Sequence, residues 1–500
     1  AYNDVKIINA SWGGNEEDAD ITAALENIPD KLFIAAAGNE MELNPNWPAL
    51  SPKSADKLKN VINVVAFDPA ASKSDSSYLA SFTNLAGDAA NWTIAAPGVG
   101  IYAATETGNA EYSGDLDGTS VAAPIVSGAA ALVQEKFSFL SGKQIGDVLL
   151  TTANNDFSGF SAYAEQQLTD EDGDTAYRIV YFTDNKAGEN EAVVTQDDVI
   201  KQLGLTCNEE KTSCTKDGET YEFASITYAQ AYGAGILDVG KALKGLGALD
   251  GSRMDSAIYT LEIPEKFDVV FSNDISQRNT TEALGFEKTG EGTLTLSGKN
   301  TYKGDTSVSA GTLKLTGALE GGAKTGGTGK LVVDGAAIAG AVDIAAGTTA
   351  SISKGSVAGA WSNSGKTEVS GGTLSGEVGN AGVLTMTGGA LTGGLKNQSA
   401  FTMKGGSLAA TASETAALIN EGTFNYYAGT LGGTIQNTDS AVFNNHGVLE
   451  TVAVSGGELN NKEGATIGSS FSVKKFTNEG NIALLTDANG DLLKMTVEEA

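Results

Sequence analysis

Residues 117–128 read Asp-Gly-Thr-Ser-Val-Ala-Ala-Pro-Ile-Val-Ser-Gly and continue as Ala129-Ala130-Ala131-Leu132-Val133. Gly118 permits a tight backbone approach ahead of a helix. The small residues Ala122, Ala123, Ser127, Gly128 and Ala129 to Ala131 let that helix pack closely inside a domain. Ser120 then falls at the helix N-terminus, where unpaired amides and the helix dipole stabilise negative charge. Such a position suits a nucleophile whose attack generates an oxyanion.

Around this segment, apolar runs such as Val5 to Ile8, Leu32 to Ala36 and Val61 to Phe67 alternate with helical patterns. Ile21, Leu25 and Ile28 form one such pattern, and Ile145, Val148, Leu149 and Leu150 another. Strands apolar on both faces with helices between them predict an α/β domain with a mainly parallel sheet and helices on both faces. The C-terminal half is different. All eight prolines precede residue 265, whereas 39 of the 63 glycines lie from Gly290 onward, so two architectures meet near residues 250–288.

Beyond residue 288, short Thr/Val/Leu-rich strands are separated by Gly-Gly and Asn-x-Gly turns. The pairs Gly371-Gly372, Gly388-Gly389 and Gly405-Gly406 recur every 17 residues, as do Asn363, Asn380 and Asn397, and Asn420 resets the pattern with Gly422. Segments this short bury a face only by stacking rung on rung, which predicts a parallel β-solenoid rather than a disordered Gly/Ser/Thr tail. The expected organisation is residues 1–250 as the α/β domain, with an acidic insertion at about 154–226, then a linker over 251–287 and the solenoid over 288–500.

The chain has 500 residues and a formal net charge of −30, with 41% hydrophobic residues. That acidity argues against nucleic acid and anionic membranes as partners, since counterion release needs basic surface. No apolar run reaches the 18 residues of a membrane-spanning helix, and no signal peptide is visible at the N-terminus. A single histidine, His446, limits general-base chemistry. It falls at an Asn-His-Gly turn matching Asn-Glu-Gly at Asn420 and Asn478, and reads as a solvated turn residue.

The 117–128 segment resembles the Gly-Thr-Ser-x-Ala-x-Pro nucleophile motif of the subtilisin-like serine proteases. Two further matches stand in the right order: SWGG at 11–14 is similar to that family's substrate-binding strand, and AAAGNE at 35–40 to its oxyanion segment. The stretches at 60–68, 81–87, 94–103 and 232–243 fit its later strands, loops and closing helix. The resemblance implies Ser120 as nucleophile, with the Asn39 side chain and the Ser120 amide as oxyanion donors. It also implies that Ser11, Trp12 and Gly13 pair with an extended substrate, that Ala35, Ala36, Ala37 and Gly38 wall the S1 pocket, and that Thr119 belongs to the substrate-binding segment. The family carries its Asp and His motifs upstream of the SWGG strand, where this sequence opens. The resemblance therefore implies an N-terminally truncated protease, inactive alone.

No cofactor or metal is implied. Cys207 and Cys214, without partner cysteines or a local histidine, make a poor zinc site and favour a small surface disulfide over two reduced thiols. The acidic stretch 169–178 lacks EF-hand spacing and reads as a solvated loop. Residues 291–317, EGTLTLSGKNTYKGDTSVSAGTLKLTG, are similar to the passenger-associated repeat of autotransporters. The two likenesses together imply a Gram-negative autotransporter passenger with a right-handed solenoid. Such a passenger is a secreted or surface-displayed serine endopeptidase acting on polypeptides, bound to the outer membrane through a C-terminal β-barrel not present in this chain. A second reading stays open, in which an inert protease-like domain sits on an adhesin or surface stalk.

Overall fold

The computed structural model describes residues 5–55, 58–104, 112–169, 175–185, 194–410, 416–450, 452–483, 492 and 494–498. It divides into two compact units, residues 1–247 and 248–500.

In the first unit, β1 (Ile7–Ala10), β2 (Leu32–Ala36), β3 (Val61–Phe67) and β4 (Thr93–Pro97) form a parallel sheet in the order β1-β2-β3-β4. Every residue of β2 and β3 is buried, because the sheet is covered on both faces. The helix α1 (Ala19–Glu26) is capped by Asp18, which accepts from the amides of Asp20 and Ile21. Leu25 and Ile21 of α1 share an apolar cluster with Phe33, Ala35 and Val61. A hairpin of β5 (Ile101–Ala104) and β6 (Tyr112–Leu116) leads to α2 (Thr119–Lys136), which packs across all four parallel strands. The helix α3 (Gly142–Thr152) begins in a Ser141/Gln144 capping box and packs beside α2.

The insertion builds a second sheet. It comprises β7 (Tyr163–Thr169), β8 (Thr175–Phe182), β9 (Thr206–Cys207), β10 (Ser213–Lys216) and β11 (Glu219–Ile226), in the order β7-β8-β11-β10-β9. A capped helix α4 (Gln196–Leu203) precedes β9. Ala164, Val180, Phe182 and Ile226 of this sheet join Ala37, Val65, Phe67, Tyr78 and Leu85 in one core. Cys207 and Cys214 stand opposite each other on adjacent strands and are disulfide-bonded, with Cys214 fully buried. Residues 170–174 of the acidic stretch lie outside the described residues. The closing helix expected over 232–243 is instead two short pieces, α5 (Tyr228–Tyr232) and α6 (Val239–Ala242). Gly233 and Gly235 take positive φ between them, and Ile236 bridges to Ala95 and Asn154 rather than continuing a helix.

The second unit is a parallel β-solenoid whose strands line up in described sheets of 13, 18 and 3 strands. The linker expected over 251–287 is not a linker. Ile258–Glu262 pairs in parallel with Gly285–Thr289, and Asp268–Phe271 with Thr293–Leu296, so these residues form the first rungs. Their burial alternates, with Tyr259, Leu261, Val269 and Phe271 inside. The glycine-poor composition of this stretch hides that period-2 pattern.

Along the solenoid, Val357, Leu374, Leu391, Leu408 and Leu431 stack in one buried column. Phe401, Phe424 and Phe443 stack beside it, with ring centroids 4.9 and 4.7 Å apart. The repeated asparagines are strand residues and form a buried ladder. Asn363, Asn380, Asn397 and Asn420 each donate from Nδ2 to the Oδ1 of the next asparagine at 2.7, 2.7, 2.8 and 2.9 Å, ending on Asn437. Each amide thereby satisfies the next inside the core, where an unpaired amide would be costly.

Candidate active site

Gly118 N-caps α2 with φ 143°, and its amide donates to the Gly98 carbonyl at 2.8 Å. A Cβ at Gly118 would lie 2.9 Å from Ser120 Oγ and 3.5 Å from Asn39 Nδ2. A side chain at Gly118 would thus crowd the serine hydroxyl and abut the asparagine amide, so glycine is what lets both groups border this position. Ser120 is half-buried in the first turn of α2 and Asn39 is exposed. Pro124 in the second turn has no amide for the Ser120 carbonyl, a cost a helix tolerates best near its N-terminus.

Thr119 fixes the orientation of Asn39. Asn39 Oδ1 accepts from the Thr119 amide at 2.9 Å and from Thr119 Oγ1 at 3.0 Å, and Thr119 Oγ1 in turn accepts from the Gly38 amide at 3.1 Å. With its oxygen held by two donors from α2, the amide nitrogen faces Gly118, which Ser120 Oγ also borders. Thr119 itself is fully buried. Gly38 and Asn39 are therefore bonded directly to Thr119 across some 80 residues of sequence, which brings them beside its neighbour Ser120.

The segment after Asn39 is held by side chains that the sequence reading did not single out. Glu40 Oε2 accepts from the Asn39 amide at 2.8 Å, from Asn46 Nδ2 at 2.8 Å and from Asn84 Nδ2 at 3.0 Å. The fully buried Asn84 uses its Oδ1 to accept from the amides of Glu40 and Glu42, both at 2.9 Å. Asn84 lies in the 81–87 stretch noted only for its fit to a loop; a lone buried asparagine carries no periodic signal.

The remaining site candidates are arranged as follows. Ala35 and Ala37 bury their methyls in separate apolar clusters and Ala36 is also buried, so of that run Gly38 alone reaches partial exposure. Ser11 Oγ accepts from Asn9 Nδ2 at 2.9 Å, and Asn9 Oδ1 accepts from Ser127 Oγ of α2 at 2.9 Å, which ties this segment to α2. Trp12, half exposed, and Gly13 line a cleft of about 220 Å³ together with Gly14, Trp47 and Pro48. Gly14 is bonded through its backbone to Trp47. His446 belongs to the solenoid and is packed face to face on Tyr427, ring centroids 4.4 Å apart; burial, then Lys462, lowers its pKa. It is a stacked residue, not the freely solvated one expected. Burial pushes the Tyr228 hydroxyl up to about 12 and raises that of Tyr232, so neither phenol acts as a base at neutral pH.

Comparison with known proteins agrees with this architecture. Residues 1–184 match the subtilase family, and residues 286–315 match the passenger-associated transport repeat. Serotype-specific antigen 1 of Mannheimia haemolytica is 38% identical over 129 residues, covering 25% of this chain and 13% of that protein. The Neisserial autotransporter lipoprotein NalP of Neisseria meningitidis serogroup B is 24% identical over 323 residues, 62% of this chain and 22% of that protein. An extracellular serine protease of Serratia marcescens is 29% identical over 315 residues, 58% of this chain and 25% of that protein. The chain thus spans a quarter or less of each of these relatives. The first unit is a subtilase-family domain. It is joined to a solenoid that bears the passenger-associated transport repeat.

Proposed function

We propose that the first unit hydrolyses peptide bonds, with Ser120 as nucleophile and Asn39 Nδ2 and the Ser120 amide as oxyanion donors. The observation that carries this reading is that Ser120 Oγ and Asn39 Nδ2 both border Gly118, with Asn39 Oδ1 already held by Thr119. A carbonyl carbon attacked there develops its negative charge against a fixed amide donor at a helix N-terminus, where no donor has to reorganise. Ser11 to Gly13 offer backbone to an extended polypeptide, and the Trp12 cleft receives one of its side chains. His446 is stacked on Tyr427 in the solenoid, and we assign it no part in taking the Ser120 proton. The setting is extracellular or at the surface of a Gram-negative cell, with the solenoid as the passenger stem and a β-barrel carried elsewhere in the polypeptide.

In the full-length protein, Asn39→Ala should lower kcat by roughly 10² to 10³ with little change in KM, since Asn39 meets charge present only in the transition state. Steady-state kinetics on an unstructured peptide measure this. An unaltered kcat removes Asn39 from the site.

A further inference from the structure

The inserted sheet reaches the segment that carries Asn39. Its strand β8 places Arg178 opposite Gln166 of β7 and opposite Glu222 of β11, so the three side chains form one row across three strands. Gln166, fully buried, donates from Nε2 to the Thr83 carbonyl at 3.0 Å, next to Asn84. Arg178 donates from Nη1 to the Met41 carbonyl at 2.6 Å and from Nε to Glu222 at 2.7 Å. Its side chain is only 18% exposed.

Met41 lies two residues past Asn39 and holds φ at 61°, a left-handed conformation that a residue with a side chain keeps only where its surroundings impose it. Those surroundings are hydrogen bonds to two segments. The Met41 amide donates to the Phe82 carbonyl at 3.1 Å, Asn84 holds the amides of Glu40 and Glu42, and Arg178 holds the Met41 carbonyl from the other side. A guanidinium locked by Glu222 is a charged, oriented donor, which makes its bond to a neutral carbonyl directional as well as strong.

We infer that Arg178 is a positioning residue for the oxyanion donor. By fixing the Met41 carbonyl it sets the turn from which the Asn39 side chain is aimed, so the insertion is a working part of the site rather than appended surface. This rests on the reading of Asn39 given above. Displacements of about an ångström in such a donor are enough to change turnover by up to about a hundredfold, whereas substrate binding through Ser11 to Gly13 does not pass through Met41.

The test is kcat and KM in the full-length protein for Arg178→Ala, Arg178→Lys, Asn39→Ala and the Arg178→Ala/Asn39→Ala pair. Arg178→Ala should lower kcat roughly tenfold with KM changed less than about twofold. Arg178→Lys, which keeps a donor, should recover most of that loss. In the Asn39→Ala background Arg178→Ala should cost nothing further, because the group it positions is gone. An unaltered kcat in Arg178→Ala, or the same factor lost with and without Asn39, overturns the inference. Should Arg178→Ala fail to fold, Glu222→Gln takes its place: a smaller fall in kcat that vanishes in the Asn39→Ala background supports the inference, and a fall of equal factor in both backgrounds, or none, overturns it. The two readings fail separately. If Asn39→Ala leaves kcat unaltered, the oxyanion reading falls; if Asn39→Ala is impaired and Arg178→Ala is not, only the inference does.

Discussion

Asn39 and Thr119 meet across 80 residues, and Arg178 and Met41 across 137, whereas the columns of the solenoid are made by residues 17 apart, such as Asn363 and Asn380. In the first unit each contact at the site is made once, by a particular pair, and losing it should alter the site without spreading. In the solenoid the same contact is made again on the next rung, so each residue is supported by, and supports, its equivalents above and below. A single-copy arrangement can hold a strained turn such as Met41 and direct one amide to one point. A repeated one gains stability and length but places no unique chemistry.

That contrast can be broken at Leu391, which is fully buried between Leu374 and Leu408. Leu391→Asp would put an unpaired carboxylate in the column, a cost of several kcal/mol, and should unfold the adjacent rungs while the first unit stays intact. Hydrogen exchange on the full chain reads this out. Protection lost around Leu374 and Leu408 but kept in β2 and β3 is the expected pattern; a change confined to the Leu391 rung would show that the rungs are energetically independent.

A smaller effect sharpens the comparison where the solenoid departs from its own repetition. Lys288 has no equivalent on neighbouring rungs: it pairs with Leu261 and Val308, is fully buried, and donates to the carbonyls of Gly290, Gly292 and Ala310. Burial pushes its ammonium down to about 8, against a modest upward pull from Glu291. Between that value and its unfolded pKa of roughly 10.4, the unfolded chain binds more protons than the folded one, so stability rises with pH across this window. Above about 10 the trend reverses, because burial raises the Tyr302 pKa and the folded state then keeps a proton the unfolded state has lost. Urea denaturation of the solenoid between pH 8 and 9.5 should show the rise in wild type and lose it in Lys288→Met. Equal slopes in the two proteins would mean that Lys288 is not the group responsible.

The same contrast explains what could be read before the structure. The solenoid was legible because a 17-residue period in Gly and Leu survives in the sequence, and the α/β unit because β2 is apolar throughout and β3 is apolar but for Asn63. The asparagine ladder was only half legible: the spacing of Asn363, Asn380 and Asn397 was visible, but an asparagine before a glycine signals a turn, and only the stacking of strands turns the amides inward. Residues 251–287 were misread because their alternation of Tyr259, Leu261, Val269 and Phe271 is interrupted by Pro264 and lacks the glycine signature. Ser120 and Asn39 were singled out through motifs. Glu40 stood inside the AAAGNE motif without a role, and Asn84 and Arg178 were not singled out, since nothing local in the sequence distinguishes a buried asparagine, or an arginine in an acidic insertion that reaches a carbonyl 137 residues away.

The account stands or falls on Ser120. A serine-directed fluorophosphonate applied to the full-length protein, followed by peptide mapping, should place one adduct on Ser120 that disappears in Ser120→Ala together with peptidase activity, a loss of roughly 10⁶ in kcat. Peptidase activity that survives Ser120→Ala, or an adduct mapped to another serine, would contradict it.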